Sequence, residues 1–331
     1  MSTEIFVSNF PFGRENSDPK TMLNETGWNI HYNPYDRKLL PEETAEFAKN
    51  CEGIVAGTED LTPLILSSDK LRVISRIGIG LDSVPLSLCR EKGIAVTYTP
   101  DAVTMAVVEM TIGLMVTLSR KLCQADHEIR RGIWNRHFGK RLSESTIGII
   151  GLGRVGYRVA EYLRPFNPKK IIVNDIKDVS EKIGTLFASG INAVFTEDRN
   201  ELLQNSDIVS IHTPLSKITK GMFDRKAMEM MKKDSFLINT ARGGIISEED
   251  LFGILKENRI AGAAVDAFEH EPYQGPLCGL ENIILTQHQG SCSFDCRYAM
   301  ETEAVKDLIR FFRKEKLKTP VPEEEYQYQN L

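Results

Sequence analysis

Apolar positions in the first hundred residues come in short runs separated by longer stretches with helical spacing. The runs are Ile5 to Val7, Ile30 to Tyr32, Gly53 to Ala56, Val73 to Ser75 and Ile94 to Tyr98. Runs that stay apolar instead of alternating suit strands covered on both faces, as in a parallel sheet flanked by helices. One long helical segment is predicted from Ala102 to about Arg130, a connector. From Thr146 a second series begins, with strands at Ile147 to Ile150, Ile171 to Asn174, Ala193 to Thr196, Ile208 to His212, Phe236 to Asn239, Ala263 to Val265 and Ile283 to Thr286. The pattern predicts an α/β chain of two Rossmann/flavodoxin-like, doubly wound parallel-sheet domains with a cleft between them. The expected boundaries are 1–100 with 287–331 for one domain and 101–286 for the other. Ser247-Glu-Glu-Asp250 has the form of a capping box that starts a helix. The stretch from Glu301 to Lys316 is amphipathic, with apolar Ala304, Leu308, Phe311 and Phe312, and should pack onto a domain; the last ten or so residues read as disordered by composition.

Within the second series, Thr146-Ile-Gly-Ile-Ile-Gly-Leu-Gly-Arg-Val-Gly156 reads as a strand, a glycine turn and a helix start. Gly151 suits the tight turn, Gly153 lets a pyrophosphate approach the backbone, and Gly156 lets the helix pack against its strand. The amides near Arg154 and Val155, at the positive end of that helix, would face the two phosphates. Asp175 ends the next strand and can accept hydrogen bonds from ribose hydroxyls, which favours NAD over NADP. NAD is therefore the expected cofactor.

Length and charge narrow the remaining classes. A chain of 331 residues with net charge −5 and no long basic stripe does not suit nucleic acid as a main partner. Its most apolar stretch, Ala106 to Ser119, contains Glu109 and is followed by Arg120-Lys121, so no membrane span and no membrane partner is expected. Six scattered cysteines and the lack of a signal-like start point to reduced thiols in a cytoplasm. His288, Cys292 and Cys296 recur every four residues, but they do not supply four converging ligands. They are read as small buried thiols beside a histidine, and no metal site is expected.

Three segments follow late strands, where open α/β sheets place their ligands: Asn239-Thr-Ala-Arg-Gly-Gly244, Asp266-Ala-Phe-Glu-His-Glu-Pro272 and Thr286-Gln-His-Gln-Gly-Ser291. They supply a guanidinium, carboxylates and an imidazole. With the glycine loop Arg76-Ile-Gly-Ile-Gly-Leu-Asp82, the helical Ala106-Val-Val-Glu109 and His212-Thr-Pro-Leu215, they make the chain resemble the D-2-hydroxyacid dehydrogenase family along nearly its whole length.

That resemblance implies a set of roles. Arg242 would bind the substrate carboxylate and polarise its carbonyl, His288 would be the acid/base, and Glu271 would orient the imidazole, with Glu269 a rival on the same loop. The amides of Ile79 and Gly80 would bind the substrate carboxylate, and Asp266 would accept from the nicotinamide carboxamide. Thr213, Pro214, Thr240 and Gly290 would complete the cofactor site with the glycine turn. Reducing a 2-keto acid needs a proton delivered to oxygen while hydride reaches carbon, and a positioned histidine suits that task. The implied partners are a small 2-hydroxy or 2-keto acid and a second copy of the chain. Two other functions share the pattern: phosphoglycerate oxidation in serine synthesis, and a non-catalytic NAD-sensing scaffold. The chain departs from the family at Gln287, where proline is usual, and at Tyr98, where asparagine is common. In the loop after the third strand it offers Glu59, where phosphoglycerate-type members carry arginine. Trp134 and Arg136 resemble a segment that reaches a neighbouring subunit.

Overall fold

The computed structural model describes residues 2–330, which divide into two compact units. The chain up to Val103 together with the chain from Cys292 onward forms one, and Thr104–Ser291 forms the other. In the first, β1 (Glu4–Val7), β2 (Asn29–Tyr32), β3 (Gly53–Ala56), β4 (Val73–Arg76) and β5 (Ala95–Thr97) pair in the order β2-β1-β3-β4-β5, all parallel. This is the flavodoxin-like order of doubly wound sheets. Phe6, Ile54, Ala56, Ile74 and Val96 face one layer with Leu64, Ile65 and Leu86. The opposite face is covered by the helix Phe294–Phe312, whose Ala304 carbonyl accepts from Ser75 Oγ at 2.7 Å. Gly53 sits under that helix, where a Cβ would come within 3.0 Å of Leu308 and Phe312.

The second unit holds β6 (Thr146–Ile150), β7 (Lys170–Asn174), β8 (Ala193–Phe195), β9 (Ile208–Ile211), β10 (Phe236–Asn239), β11 (Gly262–Val265) and β12 (Ile283–Leu285). Their order is β12-β11-β10-β9-β6-β7-β8, with every pairing parallel. Counted within the unit it is the Rossmann order 3-2-1-4-5-6 extended by a seventh strand. Successive residues enter opposite layers: Ile149, Ile208, Ile238 and Ala264 on one side, Ile150, Val209, Leu237 and Ala263 on the other. Burial on both faces explains why these strands read as continuous apolar runs.

The structure corrects four expectations. The segment Ala102 to Arg130 is two helices, Thr104–Ser119 and Leu122–Arg130, because Lys121 turns left-handed at φ 52°. The tail is ordered, with a helix at Glu323–Asn330. Composition hid its two anchors: Tyr326 lies over the Arg90 guanidinium at 4.1 Å, and Gln329 bonds Leu81 O, Val84 O and the Leu86 amide. In the expected capping box, Ser247 accepts from Asp250 N, but the Asp250 carboxylate instead receives the Arg225 amide. Cys296 is buried as expected, whereas Cys292 is exposed in the loop before the long helix.

Candidate active site

The glycine turn is built as its spacing implies. Gly151 has φ +91°, and a Cβ there would come within 2.8 Å of His212 O. At Gly156 a Cβ would lie 2.0 Å from Gly151 O, so strand and helix touch backbone to backbone. Nothing lies within 4 Å of a Cβ at Gly153, which faces open space at the start of the helix Arg154–Tyr162. The N-cap residue of that helix is Gly153, which supplies no capping side chain, and a helix N-terminus of this kind favours an anion. Asp175 accepts from Leu152 N at 2.6 Å and Lys177 N at 2.9 Å, fixing its carboxylate against the turn. Beside Gly151, Thr213 Oγ1 is buried with no protein partner, a polar atom of the kind a bound group satisfies. These observations fit a dinucleotide. Thr240, placed among the cofactor residues, bonds Thr111 of the helix Thr104–Ser119 at 2.8 Å, and Pro214 lies exposed just past β9. Burial holds the His212 imidazole far below the usual histidine range, at about 3, and its Nε2 meets Ser210 Oγ at 2.9 Å.

The three chemistry-bearing segments meet within the second unit. After β10, Asn239 spans its own turn: its Nδ2 donates to Arg242 O at 2.8 Å, and its Oδ1 accepts from Ala241 N at 3.0 Å. Arg242 is partly exposed, with Nη1 donating to Ala241 O. A Cβ at Gly243 would sit 2.0 Å from Phe268 C and O, so the Arg242 loop rests directly on the loop after β11. There Phe268 N donates to Glu271 Oε1 at 3.1 Å, and Glu271 faces His288 Nδ1 at 2.9 and 3.1 Å. The choice between the two acids is thereby settled for the ring: Glu269 is exposed, and its amide donates to Glu248. Since a carboxylate only accepts, Nδ1 carries the shared hydrogen and Nε2 is left for chemistry.

His288 itself sits at φ 49°, a left-handed conformation that costs a residue with a Cβ about 1–2 kcal/mol. Its amide donates to Asp266 O at 2.7 Å, while the Asp266 carboxylate takes Gln289 N, Gly290 N and Thr286 Oγ1. These bonds keep 287–291 with the NAD-side unit, so the division falls after Ser291 and not before Gln287. Asp266 is consequently a structural hub as well as a candidate nicotinamide contact. Thr286 and Asn239 were not singled out in the sequence; the available signal was a polar side chain at or just past the end of a buried strand.

In the first unit, the Gly78 amide donates to Thr99 Oγ1 at 2.7 Å, which fixes the glycine loop bearing Ile79 and Gly80. Glu59 is buried and accepts from Ser8 Oγ and Gly57 N, so it braces its loop from within. Tyr98 is a core residue. Among the described residues no three His, Cys, Asp or Glu side chains cluster as metal ligands, and no helix is long and apolar enough to cross a membrane.

Comparison with known proteins places this geometry in a family. Residues 112–290 match the family model described as D-isomer specific 2-hydroxyacid dehydrogenase, NAD binding domain. A D-3-phosphoglycerate dehydrogenase of Methanocaldococcus jannaschii is 36% identical over 282 residues, covering 82% of this chain but only 52% of that relative. The chain thus spans about half of that protein's length. A glyoxylate reductase of Thermofilum pendens is 35% identical over 319 residues, with 85% and 91% of the two chains covered. A crystal structure of a Thermus thermophilus protein superposes with a TM-score of 0.84 at 27% identity, covering 97% of this chain and 100% of the other.

Proposed function

We propose, because the chain belongs to the D-isomer specific 2-hydroxyacid dehydrogenase family, that it is an NAD-dependent reductase of small, unphosphorylated 2-keto acids. NADH, when bound, supplies the hydride. The protein's own residues do the rest. His288 delivers a proton from Nε2 to the carbonyl oxygen, and Glu271 holds the ring by Nδ1. Arg242 binds the substrate carboxylate and polarises the carbonyl; the amides of Ile79 and Gly80 keep the carboxylate-binding role that the family resemblance implies. Gly151, Gly153, Arg154, Val155 and Gly156 receive the pyrophosphate, Asp175 the ribose, and Thr213, Pro214, Thr240, Asp266 and Gly290 the nicotinamide side.

The observation that carries the proposal is the Glu271–His288 pair packed against the Arg242 loop in the same unit as the glycine turn. Preference for an unphosphorylated acid is supported by the loop after β3, where Glu59 is turned inward and no cation stands in its place. Preference for NAD over NADP rests on the Asp175 carboxylate, which repels a 2′-phosphate. Homodimer formation is supported by Trp134 and Phe138, which are 82% and 94% exposed on one segment of a monomer. The six free cysteines suit a cytoplasmic setting.

The decisive experiment measures NADH oxidation with glyoxylate, hydroxypyruvate and its phosphate ester, using the natural chain, His288→Ala and Arg242→Ala. His288→Ala should lose about 10²- to 10⁴-fold in kcat while still binding NADH. A preference for the phosphorylated acid would move the assignment to phosphoglycerate oxidation. Absence of turnover with every acid, with NADH binding intact, would leave a nucleotide-sensing scaffold.

A further inference from the structure

We propose that Asp266 and Thr286 form a clamp that sets the backbone at His288 and so aims its imidazole, a role separate from any contact Asp266 makes with a nicotinamide. The inference rests on the reading of His288 as proton donor. Asp266 is 1% exposed, and a carboxylate so buried must be satisfied by internal donors. All the donors found come from the segment that carries the histidine. Oδ1 accepts from Thr286 Oγ1 at 2.6 Å and Gln289 N at 2.9 Å, and Oδ2 accepts from Gly290 N at 2.9 Å. The Asp266 carbonyl takes the amide of His288 itself at 2.7 Å. The carboxylate thus grips the chain two residues before the histidine and one and two residues after it.

That grip falls where the backbone is strained, at φ 49°, and such a conformation persists only if its surroundings over-determine it. Gly290 is part of the device. A Cβ there would come within 3.1 Å of Asp266 Oδ2 and 3.4 Å of Val107, so a larger residue would crowd the amide off the carboxylate. Two acids therefore divide the work on one imidazole. Glu271 fixes the ring through Nδ1, and Asp266 fixes the main chain from which the ring projects. Asparagine at 266 could not replace the acid, because in either orientation its amide group would set N–H against a backbone N–H, that of Gln289 or that of Gly290.

The test compares Thr286→Val, which removes one donor at constant shape, with Thr286→Ser, which restores it. Steady-state kinetics, NADH titration by fluorescence and ¹⁵N NMR of the His288 ring are read on each variant. The expected result for Thr286→Val is a loss of about ten- to a hundredfold in kcat, with the Kd for NADH changed less than about twofold. Its His288 ¹⁵N shifts should move from a single Nδ1–H form toward a tautomer mixture, and Thr286→Ser should recover both readouts. Should Thr286→Val fail to fold, Thr286→Ala takes its place in the same comparison. Unchanged kcat and ring shifts would overturn the clamp. So would a loss confined to NADH affinity, which would assign the carboxylate to the cofactor alone. His288→Gln is measured in parallel. If it retains turnover, the proton-donor reading has failed, and the ring shifts of Thr286→Val still decide the clamp.

Discussion

The turn after β6 and the loop after β12 pose the same problem and solve it by opposite means. Each holds a residue at positive φ, Gly151 at +91° and His288 at 49°, at the carboxyl end of a strand in one sheet. In the turn, the residue has no side chain to object, and its neighbours are the backbone at His212 and Gly156 and the methyl of Thr213. In the loop, the residue must keep its side chain because the chemistry resides there, so the conformation is imposed by Asp266. Sites made of backbone can be built from small residues, whereas sites made of a reactive side chain need a tether from elsewhere in the fold.

Substitutions can separate the two solutions, and the largest effect is expected at Gly156. Gly156→Ala places a methyl 2.0 Å from Gly151 O, an overlap with backbone that cannot relax locally. A loss of more than about 4 kcal/mol is expected, read as unfolding or a collapse in Tm. Near-normal Tm would mean that the helix can slide off its strand and that the turn is not sterically fixed. Gly153→Ala tests the same turn without the clash, since its Cβ enters open space. Tm should be unchanged while NADH affinity falls about ten- to a hundredfold, or roughly 1.4 to 2.7 kcal/mol. Retained affinity would show that pyrophosphate does not approach there.

Acid should distinguish the regions next. His212, whose carbonyl abuts Gly151, has a folded pKa of about 3, below the value near 6.5 expected when unfolded. Stability due to its neutral ring is complete above pH 6.5 and drains as pH falls from there toward 3, by about 1.4 kcal/mol per unit. Denaturant titrations of His212→Gln should show a shallower fall over that window; equal slopes would mean the ring titrates normally. The smallest effect is expected at the strained loop. His288→Gly relieves the left-handed backbone and should be about 1 kcal/mol more stable than His288→Ala, though neither can protonate a substrate. Equal stabilities would mean that the tether, and not the side chain, already sets the conformation at no cost.

The same contrast explains what could be read in the chain. The glycine turn, Asp175 and the two parallel sheets were legible because they depend on local spacing and on strands buried on both faces. Arg242, Glu271 and His288 were identified by resemblance, and the structure brings their loops together. The tethers were not legible: Thr286 meets Asp266 across twenty positions, and Asn239 acts on its own turn, so neither leaves a periodic trace. Gln329 was missed for a related reason, since its partners at Leu81, Val84 and Leu86 lie far back in the chain. Lys121 breaks a helix although its residue type favours continuation, so helix propensity alone did not mark the break.

β12 is only three residues long and ends the seven-stranded row, with β11 as its one strand partner. His288 follows three positions later. Peeling of that outermost strand would withdraw the imidazole and leave the glycine turn, two strands beyond β10 in the row, untouched. Opening there would leave the dinucleotide turn intact and remove the imidazole from it. Amide exchange at Ile284, slower or faster than in β10, would measure how firmly that margin is held.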